Sequence, residues 1–358
     1  MEKRKMDAVA GCLLGGAVGD ALGAGIEFMS WPEISAKFGP DGITGFVPAY
    51  GGLGKITDDT QMMLFTAEGL LRAWVRASAR GICDPPSVIH HAYLRWLLTQ
   101  GHSPDKRLSV SKNGWLIKNK ALWSQRAPGL TCLGALESAE HFGFKAENSS
   151  KGCGTVMRSA PFAFFEESFA HSLKAAMLTH GHRTGYVAAA AFSLLLQLIW
   201  AEDMSLDQSL DRVMERLQAL AQQDGKECEV LSALQAVRSF RKRGIAPTPL
   251  RIDEYGGGWI AEEALAIGVW CALFAQDYEQ GVLTSVNHSG DSDSTGMVAG
   301  NILGLIHGRA AIPERWLATL ELKEVIEQIA EDIILVPETY DGGYGPMDDE
   351  IFEKYPGG

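Results

Sequence analysis

The chain has 358 residues, 46% of them hydrophobic, enough to bury a large core as one big domain or two ordinary ones. Its 32 basic and 44 acidic residues leave a net charge of −12, which excludes a surface made for broad contact with nucleic-acid phosphates. Cys12, Cys83, Cys132, Cys153, Cys228 and Cys271 show no CxxC or zinc-ribbon spacing, so they read as reduced thiols and the expected compartment is the cytoplasm.

In chain order, the N-terminus first imitates a lipoprotein cleavage site, a basic start followed by Val9-Ala10-Gly11-Cys12. Asp7 leaves the apolar stretch shorter than the roughly 7–15 residues of a signal core, and export is not expected. No run of about 18 apolar residues free of charges and glycine-rich breaks occurs, so no membrane span is expected. From about Met6 to Phe28, Gly11, Gly15, Gly19 and Gly23 fall at every fourth position with Glu27 next in the series. On a helix this makes a glycine stripe, which admits a second backbone at a cost of about 1 kcal/mol per glycine in helix propensity.

Residues 29–56 are rich in Gly and Pro and lack a helical period, which predicts a long loop delivering Thr57-Asp58-Asp59-Thr60-Gln61. Amphipathic helices follow over Met62–Trp74 and from Pro85-Pro86 through Leu97, then short helices and turns between 101 and 130. Ser149–Arg158 is a small-residue loop with a cation at each end; it reads either as a phosphate cradle or as an ordinary turn, and lacks the Walker pattern. Thr179-His180-Gly181-His182-Arg183-Thr184 precedes an Ala- and Leu-rich helix to Trp200, its histidines either ligands or simply solvated. Helical patterns cover Leu206–Ala221 and Val230–Phe240, and Tyr255-Gly256-Gly257-Gly258-Trp259 opens another to Phe274.

His288-Ser289-Gly290-Asp291-Ser292-Asp293-Ser294-Thr295-Gly296 then repeats the hydroxyl–carboxylate arrangement of the Thr57 stretch, and Gly296, Gly300, Gly304 and Gly308 repeat the glycine stripe. Two explanations stay open for each acidic cluster: helix capping, or donors to a shared hard cation such as Mg²⁺ or Mn²⁺. A calcium loop is rejected because its twelfth position is Ile302 instead of Glu. With no set of alternating strand patterns, the fold class expected is all-α, the two glycine-striped helices packing tightly in the core. One domain is expected over residues 1–336. A Gly-, Pro- and acid-rich tail over 337–358 is either mobile or pinned by its aromatics.

Together these stretches resemble the ADP-ribosylglycohydrolase family, which includes the dinitrogenase reductase-activating glycohydrolases and the ADP-ribosylarginine hydrolases. The resemblance runs over nearly the whole chain, through GCLLGGAVGDALGAGIEF (11–28), TDDTQMM (57–63), GCGTVMRSAP (152–161), THGHRTGY (179–186), GGGWIAEEA (256–264) and SGDSDSTGMVAG (289–300). It implies a compact, mostly orthogonal helical bundle with two Mg²⁺ or Mn²⁺ ions at the base of a cleft. The ligands it implies are Thr57, Asp58, Asp59, Asp291, Asp293 and Ser294, with Thr295 a neighbour. Glu27 matches a glutamate near the ions, and Gly152, Cys153, Gly154, Thr155, His182, Gly257 and Gly258 match places that hold ADP-ribose. Cys153 departs from the Asn found in some members.

The implied reaction hydrolyses the bond from ribose C1 to a modified side chain, first of all an arginine guanidinium nitrogen, releasing ADP-ribose from a protein substrate. Asp58 or Asp59 would accept a proton from water, with Glu27 a movable helper or gate and Asp105 an outside candidate for gripping the guanidinium. Serine-linked, acetylated or polymeric ADP-ribose are rival substrates. An immunity protein that occludes an ADP-ribosyltransferase toxin is a rival of another class, and a transferase is the partner implied. Only a few residues precede the first helix, which favours catalysis over occlusion. Neither nucleic acid nor membrane is expected as a partner.

Overall fold

The structure, a computed structural model, describes residues 2–339 and 349–357. Among the described residues every regular element is a helix, and the β pairings are the isolated bridges Ala49–Gly52 and Gly152–Ile260. The first helix, α1 (Glu2–Gly23), is followed by α2 (Trp31–Phe38). The second corrects the expectation that residues 29–56 are all loop. Ser30 caps it through its N–H and hydroxyl, which donate to Glu33 Oε2 at 2.8 and 2.7 Å, and Pro32 suits its first turn. Eight residues between glycines and prolines are too few for a helical period to show.

Next come α3 (Asp58–Arg80) and α4 (Pro85–Thr99), then α5 (Leu130–Ser138), α6 (Ser168–Ala176) and α7 (Arg183–Glu202). The chain continues through α8 (Leu206–Asp224), α9 (Glu229–Arg243), α10 (Pro249–Tyr255), α11 (Ala261–Phe274), α12 (Tyr278–Val286) and α13 (Ser292–His307). It closes with α14 (Glu314–Leu317), α15 (Lys323–Thr339) and α16 (Asp349–Lys354).

The glycine stripes decide how α1 and α13 meet. A Cβ placed on Gly11, Gly15 or Gly19 would stand 2.2, 2.4 or 2.0 Å from the carbonyl oxygens of Gly304, Gly300 and Gly296 respectively. As one series climbs the other descends, so the two helices are antiparallel and their backbones touch. Polar groups lock the register: Asn301 Nδ2–H donates to the Cys12 carbonyl and the Tyr278 hydroxyl to the Gly15 carbonyl, both at 2.8 Å. The antiparallel sense carries Gly23, the last residue of α1, against Asp293 in the first turn of α13. Glu27 is thereby brought to the second acidic cluster.

Around this pair the core is apolar, with Phe65, Tyr93, Trp96, Phe192 and Trp270 among its largest buried side chains. Two helices, over Arg4–Gly23 and Arg183–Glu202, are long and apolar enough to cross a membrane by length and composition, and 78% and 67% of their apolar windows are buried inside the fold. Of the predicted tail, residues 340–348 and 358 lie outside the described residues. Residues 349–357 pack on the bundle: Tyr355 is buried, its hydroxyl donating to Asp332 Oδ2 at 2.5 Å.

Candidate active site

Both acidic clusters sit at helix N-termini, and the chain brings those termini together. Thr57 caps α3, its Oγ1 accepting from the Asp59 N–H at 3.2 Å, so Asp58 and Asp59 fall in the first turn. Asp291 caps α13, its side chain accepting from the Ser294 N–H at 3.3 Å, and Asp293 lies in the first turn. Capping and ligation are therefore compatible uses of the same motif: positive helix ends hold carboxylates in place. The two clusters meet where the Ser294 hydroxyl donates to Asp59 Oδ2 at 2.8 Å.

The Gly-rich loops close on the same point. Residues 151–153 pair with 259–261, through Ala261 N–H to the Lys151 carbonyl at 2.8 Å and Cys153 N–H to the Trp259 carbonyl at 3.3 Å. This sets the Cys153 thiol to donate to Asp291 Oδ2 at 2.7 Å. Burial, then the charges of Asp291 and Asp59, push that thiol up, consistent with its acting as a donor. Gly256, Gly257 and Gly258 have φ of 147°, 82° and 89°, a run that suits glycine alone. The Gly257 carbonyl accepts from the Asp291 N–H at 2.8 Å, and a Cβ on Gly290 would stand 1.8 Å from it.

The electrostatics are those of crowded, dry carboxylates. Burial pushes Asp58, Asp59 and Asp293 well above the ordinary carboxylate range, and mutual charge adds to it: Asp20, Glu27 and Asp291 on Asp58, Asp58 on Asp59, Asp59 and Glu27 on Asp293. Glu27 is pushed up to about 8 by burial and then by Asp291 and Asp20, and its Oε2 is buried without a hydrogen-bond partner. The nearby basic side chains already have acidic partners, Arg126 with Glu321 at 3.2 Å and Lys151 with Glu229 and Glu262. Among the described residues no three His, Cys, Asp or Glu side chains are drawn in as a ready-made ligand group; the Ser294 hydroxyl takes up an oxygen of Asp59 and the Cys153 thiol one of Asp291. In charge and donor chemistry, oxygen donors in negative excess with one orphaned carboxylate oxygen, the set fits a hard divalent cation.

A family model described as ADP-ribosylglycohydrolase matches residues 1–342. The chain belongs to the ADP-ribosylglycohydrolase family. It is 24% identical over 355 residues to ADP-ribosylarginine hydrolase Tri1 of Pseudomonas putida, covering 92% of this chain and 79% of the relative. It is also 24% identical over 366 residues to ADP-ribosylhydrolase ARH3 of Mus musculus, covering 92% of each. Among solved structures it is similar to an ADP-ribosylglycohydrolase-related protein complex, with a TM-score of 0.62 and 26% identity over 93% of this chain and 99% of that one.

Within this ADP-ribosylglycohydrolase, Thr57, Asp58, Asp59, Asp291, Asp293, Ser294, Glu27, Cys153, Gly257 and Gly258 form one neighbourhood. Thr295 lies buried beneath it, its hydroxyl oxygen 2.8 Å from both the Ser285 and the Asp291 carbonyl oxygens, either of which can take its one proton. His182 caps α7, its Nδ1 accepting from the Thr184 N–H at 3.2 Å, while its own backbone N–H donates to the Ser150 carbonyl at 3.3 Å. The histidine against the glycine loop is His180, whose Nε2 is 3.5 Å from where a Gly152 Cβ would be. Asp105 is held by its neighbour Arg107, at 2.8 and 3.0 Å.

Sequence reasoning missed Asp20. Its Oδ1 accepts from the Thr57 N–H at 3.0 Å, and its Oδ2 from the Thr60 N–H and hydroxyl at 3.1 and 2.5 Å. The signal was an acid in the otherwise apolar stretch 8–23, seven residues before Glu27. Tyr50 was missed as well: its ring carries the Arg126 guanidinium at 5.0 Å, and burial, then the charges of Asp293, Glu27, Asp20 and Asp58, raise its hydroxyl.

Proposed function

We propose that this glycohydrolase removes ADP-ribose from modified arginine side chains of proteins and that its activity depends on divalent cations. The observation that carries the reading is the convergence of two capped helix N-termini on Asp58, Asp59, Asp291 and Asp293, with Glu27 delivered beside them by the antiparallel α1–α13 pair. Thr57, Asp58, Asp59, Asp291, Asp293 and Ser294 would hold two Mg²⁺ or Mn²⁺ ions. When bound, such ions supply charge that steadies ribose hydroxyls and acidifies water.

The chain's own groups supply the rest. One carboxylate oxygen of Asp58 or Asp59 accepts a proton from the attacking water as positive charge develops at ribose C1. Glu27, set beside the carboxylates in a buried place that favours its neutral form, offers a proton to the leaving nitrogen. The buried loop at Thr155, with Gly152, Cys153 and Gly154 before it, and the Gly257-Gly258 turn offer backbone to the diphosphate and ribose. The hydroxyl of Thr155 donates to the Gly185 carbonyl at 2.7 Å and fixes that loop on α7.

The relatives' names span an ADP-ribosylarginine hydrolase and an ADP-ribosylhydrolase at the same identity, so the test runs both arginine and serine linkages. Release of ADP-ribose from an arginine-modified protein is measured with Mg²⁺, with chelator, and in the double variant Asp291→Ala, Asp293→Ala. The expected outcome is Mg²⁺-dependent release that falls at least about a thousandfold in the double variant. Release that persists in chelator sinks the metal requirement. Release from serine but not arginine sinks the linkage.

A further inference from the structure

Phe28 and Trp259 are two large aromatic side chains left in water at the edge of the carboxylate cluster. They are 75% and 44% exposed, with ring centroids 6.0 Å apart and planes 23° from parallel. Their positions follow from the site: Phe28 succeeds Glu27, and Trp259 succeeds Gly258, whose Cβ position is 3.7 Å from that of Asp291. Two loops that both reach the cluster thus each end in an exposed ring, and the rings stack on each other. Exposed apolar surface concentrated at a site marks something that covers it.

The cover is constrained by charge. The carboxylates below make the mouth strongly negative, and the neighbouring aromatic already shows what such a rim accepts: Tyr50 carries the Arg126 guanidinium over its face at 5.0 Å. A guanidinium is planar, permanently cationic and weakly hydrated, and it stacks on aromatic faces, whereas a serine side chain offers neither plane nor charge. Asp105, the other candidate for this task, is occupied by Arg107. Resting on the arginine reading above, we propose that Phe28 and Trp259 form an aromatic clasp that stacks on the guanidinium of the modified arginine and sets the enzyme's preference for that linkage. They act on the leaving side chain, with the ADP-ribose moiety lying deeper.

The test separates the two halves of the substrate. Kinetics on an arginine-linked ADP-ribosyl peptide and the Kd of free ADP-ribose are measured with Mg²⁺ in wild type, Phe28→Ala, Trp259→Ala and the conservative Trp259→Phe. The alanine variants are expected to raise KM for the peptide by at least about tenfold. The Kd of ADP-ribose is expected to stay within about threefold, with Trp259→Phe recovering most of the loss. A parallel loss of ADP-ribose affinity would mean that the rings stack on the nucleotide, and an unmoved KM that they touch nothing; either overturns the clasp.

If wild type cleaves no arginine linkage, the function proposed above fails, and a second measurement still judges the clasp. Titration with N-acetylarginine amide is expected to quench tryptophan fluorescence saturably in wild type but not in Trp259→Phe, among the nine tryptophans of the chain. The uncharged citrulline counterpart is expected to do nothing. Equal quenching by both ligands, or by neither, overturns it.

Discussion

Asp20 shows how one side chain can organise a site it does not line. Burial raises its carboxyl to about 6, opposed by hydrogen bonds from Thr57 and Thr60. Those bonds fix the first turn of α3, and with it the directions of Asp58 and Asp59, which makes Asp20 a positioning residue. Replacing it by alanine strands the N–H groups of Thr57 and Thr60 and the Thr60 hydroxyl, each a loss of about 1–3 kcal/mol when buried and unpaired. Asp20→Ala is therefore expected to lower Tm and to depress kcat more than KM, because the turn that aims the carboxylates is freed. A variant that melts lower but keeps full kcat would show that Asp58 and Asp59 are held by other means. The acid was visible in the sequence, but its role was not, since nothing in spacing says that a helix of residues 2–23 crosses the N-terminus of one starting at 58. His180 and His182 make the same point: two positions apart, one is buried against the glycine loop and the other caps α7, a difference set by packing alone.

Between elements, the glycine stripes were the most legible feature, because a spacing of four can be read without knowing the partner. What periodicity could not supply was direction. Only the pairing of Gly11 with Gly304 and of Gly19 with Gly296 shows that α1 and α13 run antiparallel, and that sense is what brings Glu27 to Asp293. The short helix α2 went unread for the opposite reason, since eight residues carry too little pattern. A methyl group between α1 and α13 has no flexible side chain to displace: at Gly300 it would lie 2.1 Å from the Gly15 carbonyl oxygen. Gly300→Ala is expected to destabilise by about 1–3 kcal/mol or more, despite alanine's better helix propensity, with calorimetric Tm as the readout. Stabilisation by the substitution would mean that the two helices are not in backbone contact.

Across the whole molecule, the site occupies one end of α3 and the C-terminal segment clamps the other. Lys354 pairs with Asp332 at 2.5 Å, Arg72 Nε donates to the Pro356 carbonyl at 3.1 Å, and Arg76 to the Gly357 carbonyl at 3.0 Å. Tyr355 fills the space between them, and beneath it Arg72 and Arg95 share the buried Glu68. From Asp58 to Arg72 is fourteen residues of helix, roughly 21 Å at 1.5 Å per residue. Tyr355→Ala removes a buried aromatic ring and one hydrogen bond to Asp332, on the order of 3–5 kcal/mol by the cost of comparable truncations. Tm is expected to fall by several degrees. Because a packed helix transmits little over four turns unless it can adopt a second arrangement, kcat measured well below the new Tm is expected to stay within about twofold of wild type. A kcat that falls with a clean, still cooperative melt would reverse that expectation, making the C-terminal segment a control on the carboxylates at the far end of α3 as well as a staple on the bundle.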